Sequence, residues 1–193
     1  MSQDFRIAIF ASGSGTNAEV IIKYFRDHPF IKTELLLTNN PNAFVLERAR
    51  KFGVPTRVFN REEFASDKVV GWLREQGISH IVLAGFLWLI PDSLLKAYPD
   101  KIINIHPALL PKFGGKGMYG MKIHELIRTS NETETGITIH LINDKYDEGP
   151  ILFQGRCEVK ITDSPQEIAN KVHELEYAHY PVIIEKWILG KLG

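Results

Sequence analysis

The stretch Arg6-Ile7-Ala8-Ile9-Phe10-Ala11-Ser12-Gly13-Ser14-Gly15-Thr16-Asn17 governs how the rest of the chain is read. Its first half, Arg6 to Ala11, is short and almost continuously apolar, as in a strand buried on both faces of a parallel sheet. The second half interrupts that run with glycine and small polar residues. Behind it Ala18, Val20, Ile21, Ile22, Tyr24 and Phe25 recur at helical spacing up to Asp27-His28-Pro29, where proline disfavours further helix. In a strand–loop–helix unit of this kind the loop N–H groups and the helix N-terminus converge on one spot, which favours a phosphate. Glycines allow close backbone approach, and Thr16 and Asn17 offer a hydroxyl and an amide to the same anion. The loop matches neither the full dinucleotide fingerprint nor the lysine-bearing triphosphate loop, and a plain tight turn is the competing reading.

The unit repeats along the chain. Glu34 to Thr38 reads as a second strand, followed by the turn Asn39-Asn40-Pro41-Asn42 and a helix from Ala43 to Phe52 that Gly53 stops. Val54 to Phe59 reads as a third strand, Arg61 to Gln76 as one charged amphipathic helix, and Ser79 to Ala84 as another strand ending at the Gly85-Phe86 bend. Ile102 to Ile105 forms a further strand that opens into a Pro/Gly loop from Pro107 to Met118 and a helix from Met121 to Thr129. Thr135 to Leu141 alternates as an antiparallel or edge strand does, Gly149 to Val159 reads as its partner, and Ser164 to Leu189 closes the chain as a long helix. This alternation predicts an α/β fold in one domain, residues 1–193: a doubly wound, mostly parallel Rossmann-like sheet with antiparallel strands near the C-terminal part, and ligands beyond the strands' carboxyl ends.

The bulk composition is consistent with one core and little else. A chain of 193 residues, 44% hydrophobic, buries roughly 70% of its unfolded surface without staples. Its 23 basic and 23 acidic residues cancel, so no whole-molecule field gathers nucleic acid or anionic membrane, and an anionic substrate must be met locally. The single cysteine, Cys157, forms no internal disulfide. The polar start and the short apolar run behind it predict neither signal peptide nor membrane span, and the cytoplasm is the expected compartment. Either a monomer or a homodimer is compatible with the sequence.

Asn104-Ile105-His106-Pro107 places an amide and an imidazole at i and i+2, on one side of a strand end. Such a pair suits an oxyanion that develops when an amine attacks a carbonyl-like carbon; a loop histidine satisfied by backbone is the alternative. Asp144, Asp147 and Glu148 sit in a loop that can bend towards a neighbouring strand end. If Asp147 reaches His106, its charge raises the imidazole pKa and holds the ring as an acid near neutral pH. His173, Glu176 and His179 recur every three residues but drift around their helix, so no metal site is expected.

Four separated blocks resemble the folate-dependent formyltransferases over essentially the whole chain. They are Ala11 to Asn17, Leu83-Ala84-Gly85-Phe86, Asn104 to Lys112, and Gly136-Ile137-Thr138-Ile139-His140 together with Tyr146-Asp147-Glu148-Gly149-Pro150-Ile151. The first block points to the branch that uses glycinamide ribonucleotide. The resemblance implies transfer of the formyl group of 10-formyltetrahydrofolate, as co-substrate and without metal, to the ribonucleotide amine in purine biosynthesis. It implies a catalytic trio of Asn104 as oxyanion donor, His106 as proton donor and Asp147 as the group that raises the His106 pKa. It also implies that Gly15, Thr16, Asn17, His173 and Glu176 hold the ribonucleotide. Arg61, Leu87, Trp88, Leu89, Ile90, Asn104, His140, Asn143, Asp144 and Asp147 are the implied folate contacts.

Two departures stand out. Trp88 occupies a position where many relatives carry arginine, and the glycine-rich loop Phe113 to Gly120 reads equally as a mobile lid or a structural loop. Partners are expected to be small molecules, with no nucleic acid or membrane. The rival readings are a 10-formyltetrahydrofolate hydrolase, expected to carry an extra amino-terminal domain; a sugar-nucleotide formyltransferase, expected to be longer; and a non-catalytic nucleotide-binding module.

Overall fold

The run of apolar residues from Phe5 to Phe10 forms strand β1, and in the computed structural model, which describes residues 4–192, it lies inside a seven-stranded sheet. Chain order gives α1 (Thr16–Phe25), β2 (Ile31–Thr38), α2 (Val45–Lys51), β3 (Thr56–Val58), α3 (Arg61–Ala65), α4 (Lys68–Glu75), β4 (His80–Leu83) and α5 (Asp92–Ala97). There follow β5 (Ile102–His106), α6 (Met121–Thr129), β6 (Glu134–Leu141), β7 (Ile151–Glu158) and α7 (Pro165–Ile188). The sheet order is β3-β2-β1-β4-β5-β6-β7. Strands β1 to β5 pair in parallel, while β6 runs antiparallel to both β5 and β7.

Successive side chains of β1 alternate between two cores, as a pleated strand requires. Ile7 and Ile9 pack with α1, α2 and α7, and Ala8 and Phe10 pack with α3, α4 and α5 on the other face. The sheet is therefore doubly wound. Tyr180, fully buried in α7, donates its hydroxyl to the Leu83 carbonyl at 2.8 Å. That bond fastens the long helix beneath the carboxyl ends of the parallel strands, which is where it presents Glu176.

Two elements differ from the sequence expectation. The single helix expected over Arg61 to Gln76 is two short ones, because Ser66 is extended (φ −92, ψ 178) between them. Its hydroxyl donates to the Glu63 carbonyl at 2.9 Å and accepts from the Lys68 N–H at 3.3 Å, a local alternative to continuing the helix. Helix α5 follows Pro91, whose fixed φ suits a helix start; six residues with one fully core-facing side chain, Leu94, leave little periodicity to read.

Where β6 meets β7 the backbones approach so closely that a Cβ at Gly136 would stand 1.8 Å from the Gly155 carbonyl oxygen. Backbone cannot yield there as a flexible side chain would. Gly136→Ala is expected to lower the free energy of unfolding by about 1–3 kcal/mol or more, read from urea denaturation; an unchanged midpoint would show that the ladder tolerates the methyl group.

Candidate active site

After the parallel neighbours β1 and β4 the chain continues to opposite edges of the sheet, to β2 and to β5, and the crevice outside their carboxyl ends is where such folds bind ligands. A cavity of about 710 Å³ opens there. Its walls include the loop from Ser12 to Asn17, Leu87, Asn104, His106, Asp147 and Glu176.

The glycine loop is bolted from outside. Gly15 sits at φ 72 as the N-cap of α1, a left-handed conformation that glycine adopts without strain. A Cβ there would also meet the Val45 side chain at 2.1 Å. The Gly13 carbonyl accepts from the Val45 N–H at 3.2 Å and the Ser14 carbonyl from Arg48 Nε at 2.7 Å. Loop carbonyls are thus directed to α2, and the first N–H groups of α1 remain at the cavity end, as an anion site needs. Asn17, expected to face the anion, lines the cavity and donates from Nδ2 to Glu176 Oε2 at 2.9 Å. Glu176 is 6% exposed, and burial raises its pKa to about 7 against the opposing pull of that bond.

Asn104 and His106 lie two residues apart at the end of β5, and Asp147 arrives from the loop between β6 and β7. His106 is 4% exposed, with Nδ1 3.4 Å from Asp147 Oδ2 and Nε2 2.8 Å from the Phe113 carbonyl. A carbonyl only accepts, so Nε2 carries a proton. The Gly115 N–H donates to Asp147 Oδ2 at 2.9 Å. Phe113 and Asp147 both hold φ 57, a left-handed conformation costly for side-chain-bearing residues; strain of this kind gathers at functional sites. Burial dominates the His106 ring and pushes its pKa below the ordinary value, although Asp147 and the Phe113 carbonyl act in the opposite direction. Asp147 thus acts on the ring with the sign expected from the sequence, while desolvation acts against it and is the larger. Burial also works to raise Asp147, but the His106 ring and the Gly115 N–H beside it leave its pKa lower than usual.

The expected folate contacts separate into groups. Trp88, Leu89, Ile90, Asn104, Tyr146 and Asp147 surround a smaller hollow of about 50 Å³ beside the main cavity. Leu87 and Leu89 are exposed, and Ile90 is buried. Arg61 places its guanidinium 4.1 Å from the Trp88 ring centre, a cation–π pair that links two expected contacts. Asn143 accepts the Lys145 N–H at 3.0 Å within its own loop, and Asp144 is exposed. His140 is 0% exposed and sits behind Asn104, so its side chain presents no surface to a ligand.

His173 lines the main cavity, its ring near that of His124 on α6, while His179 packs on Phe153 and Glu176 turns to Asn17. Among the described residues no group of three or more His, Cys, Asp or Glu side chains is placed to hold a metal ion. No helix of the described residues is long and apolar enough to cross a membrane. The backbone of Phe113 and Gly115 and the ring of His124 were not among the expected site residues. Only the glycine density of the 113–120 loop signalled that its backbone, rather than its side chains, meets the site.

Residues 5–184 match the model of the formyl transferase family. The chain is 35% identical over 191 residues to the phosphoribosylglycinamide formyltransferase of Bacillus subtilis, covering 96% of this chain and 95% of that one. It is 38% identical over 186 residues to the chloroplastic phosphoribosylglycinamide formyltransferase of Arabidopsis thaliana, covering 93% of this chain but only 64% of that relative's length. The crystal structure of glycinamide ribonucleotide transformylase 1 from Symbiobacterium toebii superposes with a TM-score of 0.89 at 28% identity, covering 98% of this chain and 90% of that one. The chain belongs to the formyl transferase family, among the phosphoribosylglycinamide formyltransferases.

Proposed function

We propose that the protein transfers the formyl group of 10-formyltetrahydrofolate to the amine of 5′-phosphoribosylglycinamide, a step of purine biosynthesis, in the cytoplasm. The observation that carries this reading is that the anion-type loop and the residues Asn104, His106 and Asp147 line one cavity in a chain of this family. The phosphate of the acceptor rests at the N-terminus of α1, with Gly15, Thr16 and Asn17 around it and His173 and Glu176 on the ribose side. The folate enters between Trp88 to Ile90 and the loop around Tyr146 and Asp147, with Arg61 at its outer end.

In this arrangement the neutral amine attacks the formyl carbon and a C–N bond forms. Asn104 and the His106 N–H stabilise the oxyanion of the tetrahedral intermediate. The bond between the formyl carbon and folate N10 then breaks, and the proton lost by the amine passes to N10 through water. The formyl oxygen replaces the Phe113 carbonyl as the partner of His106 Nε2. A bound anion and the negative Asp147 both favour the charged imidazole, and offset the desolvation that lowers its pKa. No covalent enzyme intermediate is needed.

Deformylation of 10-formyltetrahydrofolate, followed by absorbance, is expected to require the ribonucleotide and to fall by roughly 100-fold to 10,000-fold in His106→Ala. Deformylation that proceeds equally without the ribonucleotide would identify a hydrolase instead. A second expectation concerns Glu176, whose folded pKa of about 7 exceeds the usual 4.5. Between those values the folded chain holds a proton that the unfolded chain releases, so the contribution of this group to stability falls as pH rises through that window. Glu176→Gln should therefore raise the thermal midpoint relative to the parent by more at pH 8 than at pH 5, while raising KM for the ribonucleotide; an equal change in midpoint at both pH values would count against a buried, proton-holding Glu176.

A further inference from the structure

His140 stands opposite Asn104 in the antiparallel pairing of β5 with β6, wholly shielded from solvent. Its Nδ1 lies 2.9 Å from the Leu141 carbonyl oxygen. Since that oxygen can only accept, Nδ1 is the protonated nitrogen, and in the neutral ring Nε2 is a bare acceptor. Two groups approach Nε2. Asp147 Oδ1 is 3.6 Å away, outside hydrogen-bond range, whereas Asn104 Nδ2 is at 3.2 Å. The partner of Nε2 is therefore the Asn104 amide, and the donor of that bond is its NH₂ group.

This settles an orientation that the side chain alone leaves open. The terminal torsion of asparagine is broad and roughly two-fold, so a free amide turns with little cost. Turned one way it offers N–H to the cavity; turned the other it offers a carbonyl oxygen, which would repel a developing oxyanion. Gly149 protects the same arrangement from behind. A Cβ there would stand 1.8 Å from the Leu141 carbonyl oxygen and 3.5 Å from His140 Nδ1.

We infer that His140 is a positioning residue for formyl transfer, whose Nδ1–H tautomer takes one N–H of Asn104 and so directs the other at the reacting formyl oxygen. This rests on the proposed function, and it assigns His140 a part behind the folate-facing wall rather than in it. Removing an oxyanion donor outright costs about 10²–10³ in kcat, and releasing one to rotate costs less.

The experiment compares the parent with His140→Leu, which offers no acceptor, and His140→Gln, whose amide can accept from Asn104 and donate to Leu141. His140→Leu is expected to lower kcat about tenfold to a hundredfold with KM for both substrates nearly unchanged, and His140→Gln to restore most of the loss. A Gln variant as slow as the Leu variant, or a Leu variant altered only in KM for the folate, would overturn the inference. Nitrogen NMR of the parent labelled with ¹⁵N-histidine reads the tautomer without any substrate. Protonated Nδ1 and bare Nε2 at His140 support the assignment, even if His140→Leu fails to fold, and the reverse pattern refutes it. A parent that moves no formyl group to the ribonucleotide counts against the proposed function, and leaves the NMR reading to decide the tautomer by itself.

Discussion

The ladder between β5 and β6, with Asn104 opposite His140 and His106 opposite Thr138, is the constraint on which the geometry of the site rests. Side chains alternate along a strand, so a shift of one residue in this pairing would send His140 to the other face and leave Asn104 without its partner. The pairing is antiparallel, and that direction also matters. It runs β6 from the carboxyl end of β5 back towards its amino end, with Thr138 opposite His106 and Leu141 opposite Ile103, so the loop leaving β6 folds back to bring Asp147 to His106.

Polar groups drawn together in this way are costly unless each finds a partner. Here the loop from Phe113 to Gly115 contributes backbone instead of side chains: a carbonyl for His106 and an N–H for Asp147. Thr138, fully buried, accepts from the Leu110 N–H and donates to the Ala108 carbonyl, tying the segment after His106 to β6. Two loops, one from each side of the ladder, are thus pinned to the same few polar atoms.

Much of the fold was legible because buried parallel strands and amphipathic helices repeat with clear periods. The doubly wound sheet, the antiparallel pair and the ends of α6 followed from those periods to within a residue or two. The division at Ser66 was not legible, because one hydroxyl bonding to its own backbone settles it without altering the apolar pattern. Asn104 and His106 could be paired from sequence by their i, i+2 spacing, whereas Asp147 is 41 residues beyond His106 and needed either a resemblance or coordinates. His140 was read among the folate contacts, whereas its side chain is fully buried against Asn104: alternation tells which residues share a face, not whether a neighbour covers them. The Arg61–Trp88 pair joins two segments that no local pattern connects.

The proposed acceptor pocket carries an apparent conflict, a carboxylate buried beside the glycine loop proposed to take the phosphate, in a chain with no excess positive charge. Burial resolves it. With a pKa of about 7, Glu176 holds its proton over much of the range in which a phosphate approaches, and a nearby anion favours that neutral form further. Asn17 favours the charged form by donating to Glu176, so its bond and the phosphate pull the proton equilibrium in opposite directions. Attraction for the anion then falls to the helix N-terminus and loop N–H groups, which carry no titrating charge. In the proposed site the anion is met by fixed dipoles, and the buried Glu176 carboxyl is left to act through hydrogen bonds rather than charge.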